Sequence, residues 1–133
     1  GASALAAEMR SDADMQDIVR IFAQVEAADR LGPDAALELR VDSELQLYRR
    51  IAEASGNEYY VEVTLMIETN IQNNLRSAFL KNAANSEFGA SIIAEHRAVV
   101  DALQSGDAEA ARLATRTRFE KAASRLAQRE DFL

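Results

Sequence analysis

Residues 44–57 read Glu44-Leu45-Gln46-Leu47-Tyr48-Arg49-Arg50-Ile51-Ala52-Glu53-Ala54-Ser55-Gly56-Asn57. Apolar positions return every three or four residues here. With Leu37 and Val41 upstream, Leu45, Tyr48, Ile51 and Ala52 make one stripe along a helix. Ser55-Gly56 ends it, because glycine enters the left-handed C-cap conformation without a steric penalty. Asn57 then suits the N-cap of a following helix. Stripe, stop and cap in succession predict two helices joined by a short loop.

The same grammar extends in both directions. Upstream, Ser11 with Asp14 three residues later reads as a capping box. Met15, Ile18, Ile21, Phe22, Val25 and Ala28 follow at helical spacing, and Gly32 stops that helix. Pro33 opens the next one, where its missing N–H costs nothing. The first ten residues read as the tail of a further helix that begins upstream, as in an excised piece of a longer protein. Downstream, a long helix over roughly residues 58 to 83 carries Tyr60, Val63, Ile67, Ile71, Leu75 and Phe79. A loop near Asn82 to Ser86 leads to Phe88, Ile92, His96, Val99 and Leu103 on one face. Gly106 stops that helix and Asp107 caps the last one, which runs to about Arg129. No segment alternates with period two. The expected fold is all-α, an antiparallel bundle of about six helices in one domain over residues 1–133.

Composition agrees. The chain has 133 residues, 48% hydrophobic and 28% charged, which suits one packed domain. Five glycines and one proline argue against a turn-rich β fold. There is no cysteine, so disulfides, thiolate metal sites and a cysteine nucleophile are excluded. A reducing, cytoplasmic location is the expectation. With 22 acids against 15 bases the net charge is −7, which repels phosphate backbones and argues against nucleic-acid binding by this chain itself. No apolar run approaches the ~20 residues that span a bilayer, so no membrane partner is expected.

A few polar residues intrude on the apolar stripes. His96 lies between Ile92 and Val99, Glu44 between Val41 and Tyr48, and Arg118 between Thr115 and Ala122. Asn70 and Asn74 interrupt the long helix. Each has a plain reading: a core histidine with one hydrogen bond, a solvated carboxylate at the stripe's edge, packing for Tyr48, a solvated basic face for Arg118 together with Arg112, Arg116, Lys121, Arg125 and Arg129. Together, polar groups near mid-length on four helices can line a central pocket, where bundles commonly hold ligands. If Arg118 points inward, its planar fork suits a carboxylate.

The string from Glu44 to Asn57 resembles the D-x-x-F-H-x-x-(I/L)-A-x-A-S-G-N motif of the FCD domain, the effector-binding and dimerisation domain of FadR-type GntR transcription regulators. A second stretch, Glu95-His96-Arg97-Ala98-Val99-Val100-Asp101-Ala102-Leu103 followed by Gly106-Asp107 and Ala110-Ala111, resembles the family's E-H-x-x-(I/V)-x-x-A-(I/L)-x-x-G-D-x-x-x-A signature. The resemblance implies an antiparallel helical bundle around a pocket in which many members hold a divalent metal with one Asp and three His. Those positions correspond here to Glu44, Tyr48, His96 and Arg118, and only His96 matches outright. A phenol is mostly protonated at neutral pH, and an arginine cannot ligate. No tightly bound metal or other cofactor is therefore expected, and Arg118 is expected to supply the positive charge.

The resemblance implies a sensory domain rather than an enzyme. Glu44, Tyr48, Asn70, Asn74, His96 and Arg118 would bind a small effector, a carboxylate by the arginine's chemistry. The domain would form a homodimer, and DNA would be bound only through a separate winged helix, to which nothing in this chain corresponds. The alternative is a helical interaction module with a vestigial pocket. A small enzyme using His96 as base and Glu44 as orienter has no accompanying nucleophile or cofactor loop.

Overall fold

The computed structural model describes residues 1–32, 36–83 and 85–130, with the side chains of residues 86 and 126–130 left undescribed. Pro33, expected to open a helix, and the Arg129 side chain lie outside the described residues. The periodic stripes become six helices: α1 (Ala2–Met9), α2 (Asp12–Arg30), α3 (Leu37–Ala54), α4 (Glu58–Lys81), α5 (Ser86–Ser105) and α6 (Ala108–Glu130). No strand occurs among the described residues, and the fold is all-α.

The predicted punctuation forms hydrogen bonds. Ser11 Oγ accepts from the Asp14 N–H at 3.0 Å while Asp14 accepts from the Ser11 N–H at 2.9 Å, a complete capping box. Asn57 and Asp107 cap α4 and α6 through the N–H groups of Tyr59 and Ala110. Gly106 adopts φ +70°, and the N–H groups of Gly106 and Asp107 reach back to the carbonyls of Leu103 and Ala102. Arg10 also donates to the carbonyls of Leu103 and Gln104, tying the α1–α2 corner to the end of α5.

The stripes bury into two apolar clusters. The larger joins α1, α2, α3, α5 and α6 around Ile18, Phe22, Leu47, Ile51, Val99 and Leu103. The smaller joins Val41, Phe79, Phe88 and Ile92 on α3, α4 and α5. Along α3 the order is Val41, then Glu44, then Leu47; along α5 it is Ile92, then Glu95 and His96, then Val99. A polar layer therefore lies between two cores. Burying an isoleucine or leucine side chain contributes about 1.5–3 kcal/mol, so the cores supply the drive that holds the layer out of water.

The long helix α4 is only shallowly covered. It packs chiefly along α3, and Phe79 is its buried residue. The apolar face expected over Tyr60 to Phe79 is mostly half-exposed, while Tyr59, Leu65 and Met66 face outward.

Gly89, in the first turns of α5, marks a close approach. A Cβ there would stand 2.2 Å from Asp29 Oδ1. That oxygen holds Arg40 Nη2 at 2.9 Å, and the Arg40 guanidinium lies 4.2 Å from the centre of the Phe79 ring. Gly89→Ala is expected to displace Asp29 and strand the buried Arg40, lowering unfolding free energy by about 1–3 kcal/mol in urea titration; Ala90→Ser, one residue along on the exposed side, serves as the control that stays near wild type.

Candidate functional site

Three helices bring charge into the layer. Glu44 of α3, His96 of α5 and Arg118 of α6 are 1%, 3% and 6% exposed. Glu44 Oε1 stands 3.4 Å from His96 Nε2, and Glu44 Oε2 stands 3.5 Å from Arg118 Nη2. Burial pushes the Glu44 carboxyl up, but the attraction of His96, Arg118 and Arg40 outweighs it and holds Glu44 below the usual carboxylate range. Burial pulls the Arg118 guanidinium down, yet Tyr48, Glu44 and Glu95 more than reverse this, and it stays charged.

Two members of the layer were missed by the sequence reading. Glu95 is buried, 3.4 Å from Arg118 Nη1 and 2.6 Å from Arg125 Nη2. Its signal was present: it follows the stripe residue Ile92 by three and precedes Val99 by four. The run of basic residues predicts an outer, solvated face for Arg125. It turns inward because it lies seven residues, about two turns, after Arg118 and shares its face. Its guanidinium also sits 5.4 Å from the Phe88 ring centre. The layer thus opposes two carboxylates, Glu44 and Glu95, to two guanidiniums, Arg118 and Arg125.

Tyr48 joins from one turn beyond Glu44. Its ring meets His96 edge-on at 6.1 Å between centres, and the Arg118 guanidinium lies 5.7 Å from its centre. Burial is the main influence on its phenol, and with Glu44 and Glu95 it raises the pKa despite the pull of Arg118. The hydroxyl keeps its proton.

Beside this layer lies a cavity of about 260 Å³, bounded by the start of α1 and by α3, α4, α5 and α6. Leu47, Ile51, Ile71, Val99 and Phe119 contribute apolar walls, while Tyr48, His96, Thr115 and Arg118 contribute polar groups. Among the described residues, the buried side-chain atoms without a hydrogen-bond partner are His96 Nε2, Thr115 Oγ1 and Arg118 Nε, and all three belong to cavity-lining residues.

The expected site residues therefore separate. Tyr48, His96 and Arg118 line the cavity. Glu44 stands behind them as their counter-charge. Asn70 and Asn74 are exposed and take no part in the lining, which corrects their expected place in the pocket. Each precedes a residue of the covered face, Ile71 or Leu75, by one position, and one residue turns a helix by about 100°.

Because the layer is charge-balanced, removing one member strands the others. Arg118→Met is expected to cost about 3–5 kcal/mol in chemical denaturation, since Glu44 and Glu95 would keep buried charge with less compensation. The double variant Glu44→Gln with Arg118→Met should lose clearly less than the sum of the two single variants. Additive losses would show that the pair is not coupled.

Residues 1–121 match the family model of the FCD domain. No curated protein matches the chain.

Proposed function

The chain belongs to the FCD domain family, the effector-binding regulatory domains of GntR-type transcription regulators, and we propose that it senses a small organic acid in the cavity beside the charge layer. The observation that carries this reading is that His96, Thr115 and Arg118, the described residues with a buried side-chain polar atom lacking a hydrogen-bond partner, all line one cavity. Unpaired buried polar groups are costly, and a ligand that pairs them recovers that cost. An acid fits because a guanidinium N–H and a hydroxyl both donate to carboxylate oxygens.

Regulation follows if the ligand prefers one packing of the helices over another, since only differential affinity shifts an equilibrium. A ligand in this cavity touches five helices at once, including the first turn of α1. Its entry changes how α1 and α4 sit against α3. In the family's scheme that movement reaches a separate winged helix, through which alone the DNA is bound.

We further propose that Arg118 takes the place of the divalent metal that the family resemblance implies. Among the described residues, no group of three or more His, Asp or Glu side chains could hold a metal. Glu44 and His96 face each other, and a fixed positive charge already stands 3.5 Å from Glu44. A second cation there would meet repulsion.

The test uses protein purified without chelator. Metal content should be well below one equivalent, and a screen of carboxylates, sugar acids and acyl thioesters should yield a stabilising acid. At a hundredfold excess over Kd the expected gain is about 2.7 kcal/mol, read as a rise in Tm. Arg118→Ala should abolish the gain, and Thr115→Val, used where that variant folds poorly, should reduce it. One equivalent of zinc, nickel or manganese held through Glu44 and His96 would overturn the metal substitution. Acids that leave Tm unchanged would overturn the sensing role.

The homodimer is proposed to form across the outer face of α4. Tyr59 and Met66, seven residues apart and so on one face of α4, are 67% and 81% exposed. Light scattering should give twice the 14.6 kDa chain mass, and Met66→Glu with Tyr59→Glu should halve it without changing the helical signal. A wild-type monomer at micromolar concentration would refute the interface.

A further inference from the structure

The cavity is lined mostly by apolar side chains with a few polar ones, and this restricts what fits. We infer that the ligand is a compact monocarboxylate with an apolar body, an aryl or short-chain alkyl acid, seated head-first on Thr115, His96 and Arg118. The inference rests on the acid-sensing reading above and narrows it.

Consider the head first. Arg118 Nε carries a hydrogen with no acceptor, and Thr115 Oγ1 has no partner. One carboxylate offers two acceptor oxygens, one for each donor. The Arg118 terminal nitrogens are turned toward Glu44 and Glu95, so Nε is the edge left for a ligand.

Charge sets the limit on the head. Glu44 and Glu95 are matched by Arg118 and Arg125. Arg112, on the cavity wall, is already held by Glu109 at 2.6 Å. One added carboxylate already exceeds this balance by one charge and would be held by hydrogen bonds from Arg118 and Thr115. A second or third carboxylate would be buried near Glu44 and Glu95 with no further cation to meet it.

The body follows from the walls. Leu47, Ile51, Ile71, Val99 and Phe119 offer no hydrogen bond. Of the wall's hydroxyls beyond Thr115, Thr64 already donates to the Tyr60 carbonyl, which leaves Ser3 and Tyr48 for the several hydroxyls of a sugar acid. Methylene or aryl groups lose nothing by leaving water and gain contact. At about 260 Å³ the space falls just below the common range of about 300–1,000 Å³ for ligand pockets, so the body is small.

Calorimetry with butanoate, pentanoate, hexanoate and phenylacetate, against gluconate and citrate, tests this. Affinity should rise about fourfold per added methylene until the space is full. Gluconate and citrate should bind at least tenfold more weakly than phenylacetate. Thr115→Val should weaken every monocarboxylate by a similar factor and leave the methylene increment intact. Ile67→Asn alters a lining residue that is already 44% exposed, so the fold tolerates it, and it should flatten the increment. Gluconate or citrate binding as tightly as phenylacetate would overturn the apolar body while the acid-sensing reading stands. Monocarboxylate affinity untouched by Thr115→Val would overturn the head placement. No binding by any of the six acids would overturn both readings together.

Discussion

The attraction of Arg118 for two buried carboxylates, Glu44 and Glu95, is the constraint on which the rest of this bundle depends. Each of those groups would lose several kcal/mol of hydration if buried alone. They are tolerated because they come from α3, α5 and α6 to the same level, with Arg125 completing the balance. The balance fixes the register of three helices. A slide of one turn by any of them would carry a charge into apolar packing above or below the layer.

That register explains the position of the cavity. Side chains committed to the layer cannot also fill the space beside it, and the apolar residues flanking the layer belong to two separate clusters. What remains is a hollow lined mostly by apolar side chains, with Tyr48, His96, Thr115 and Arg118 among its polar ones. The chain is an FCD domain, and this hollow is bounded by five of its six described helices.

The outer helices obey a different logic. The caps at Ser11, Asn57 and Asp107 and the left-handed Gly106 are local devices, readable from neighbouring residues, and each formed as its spacing predicted. Helix α4 shows where such reading weakens. Its apolar residues are too evenly spread for periodicity to name one face, so Asn70 and Asn74 could be placed toward the pocket although they face outward. Their neighbours Ile71 and Leu75 are the covered ones, and only the packing against α3 decides between faces 100° apart.

The sequence by itself determined the helices, their stops and caps, and the inward turn of His96, because each depends on residues within a turn or two of itself, while it left Glu44 open between the stripe's edge and the interior. It also carried the family resemblance, since both motifs are contiguous strings. Tertiary structure alone decided that Glu95 and Arg125 belong with Arg118, that Glu44 stands behind the cavity instead of lining it, and that Asn70 and Asn74 do not reach it. Those outcomes depend on charges brought together across 23 to 74 residues of chain, and Coulomb attraction acts on distance in space, which no local periodicity records.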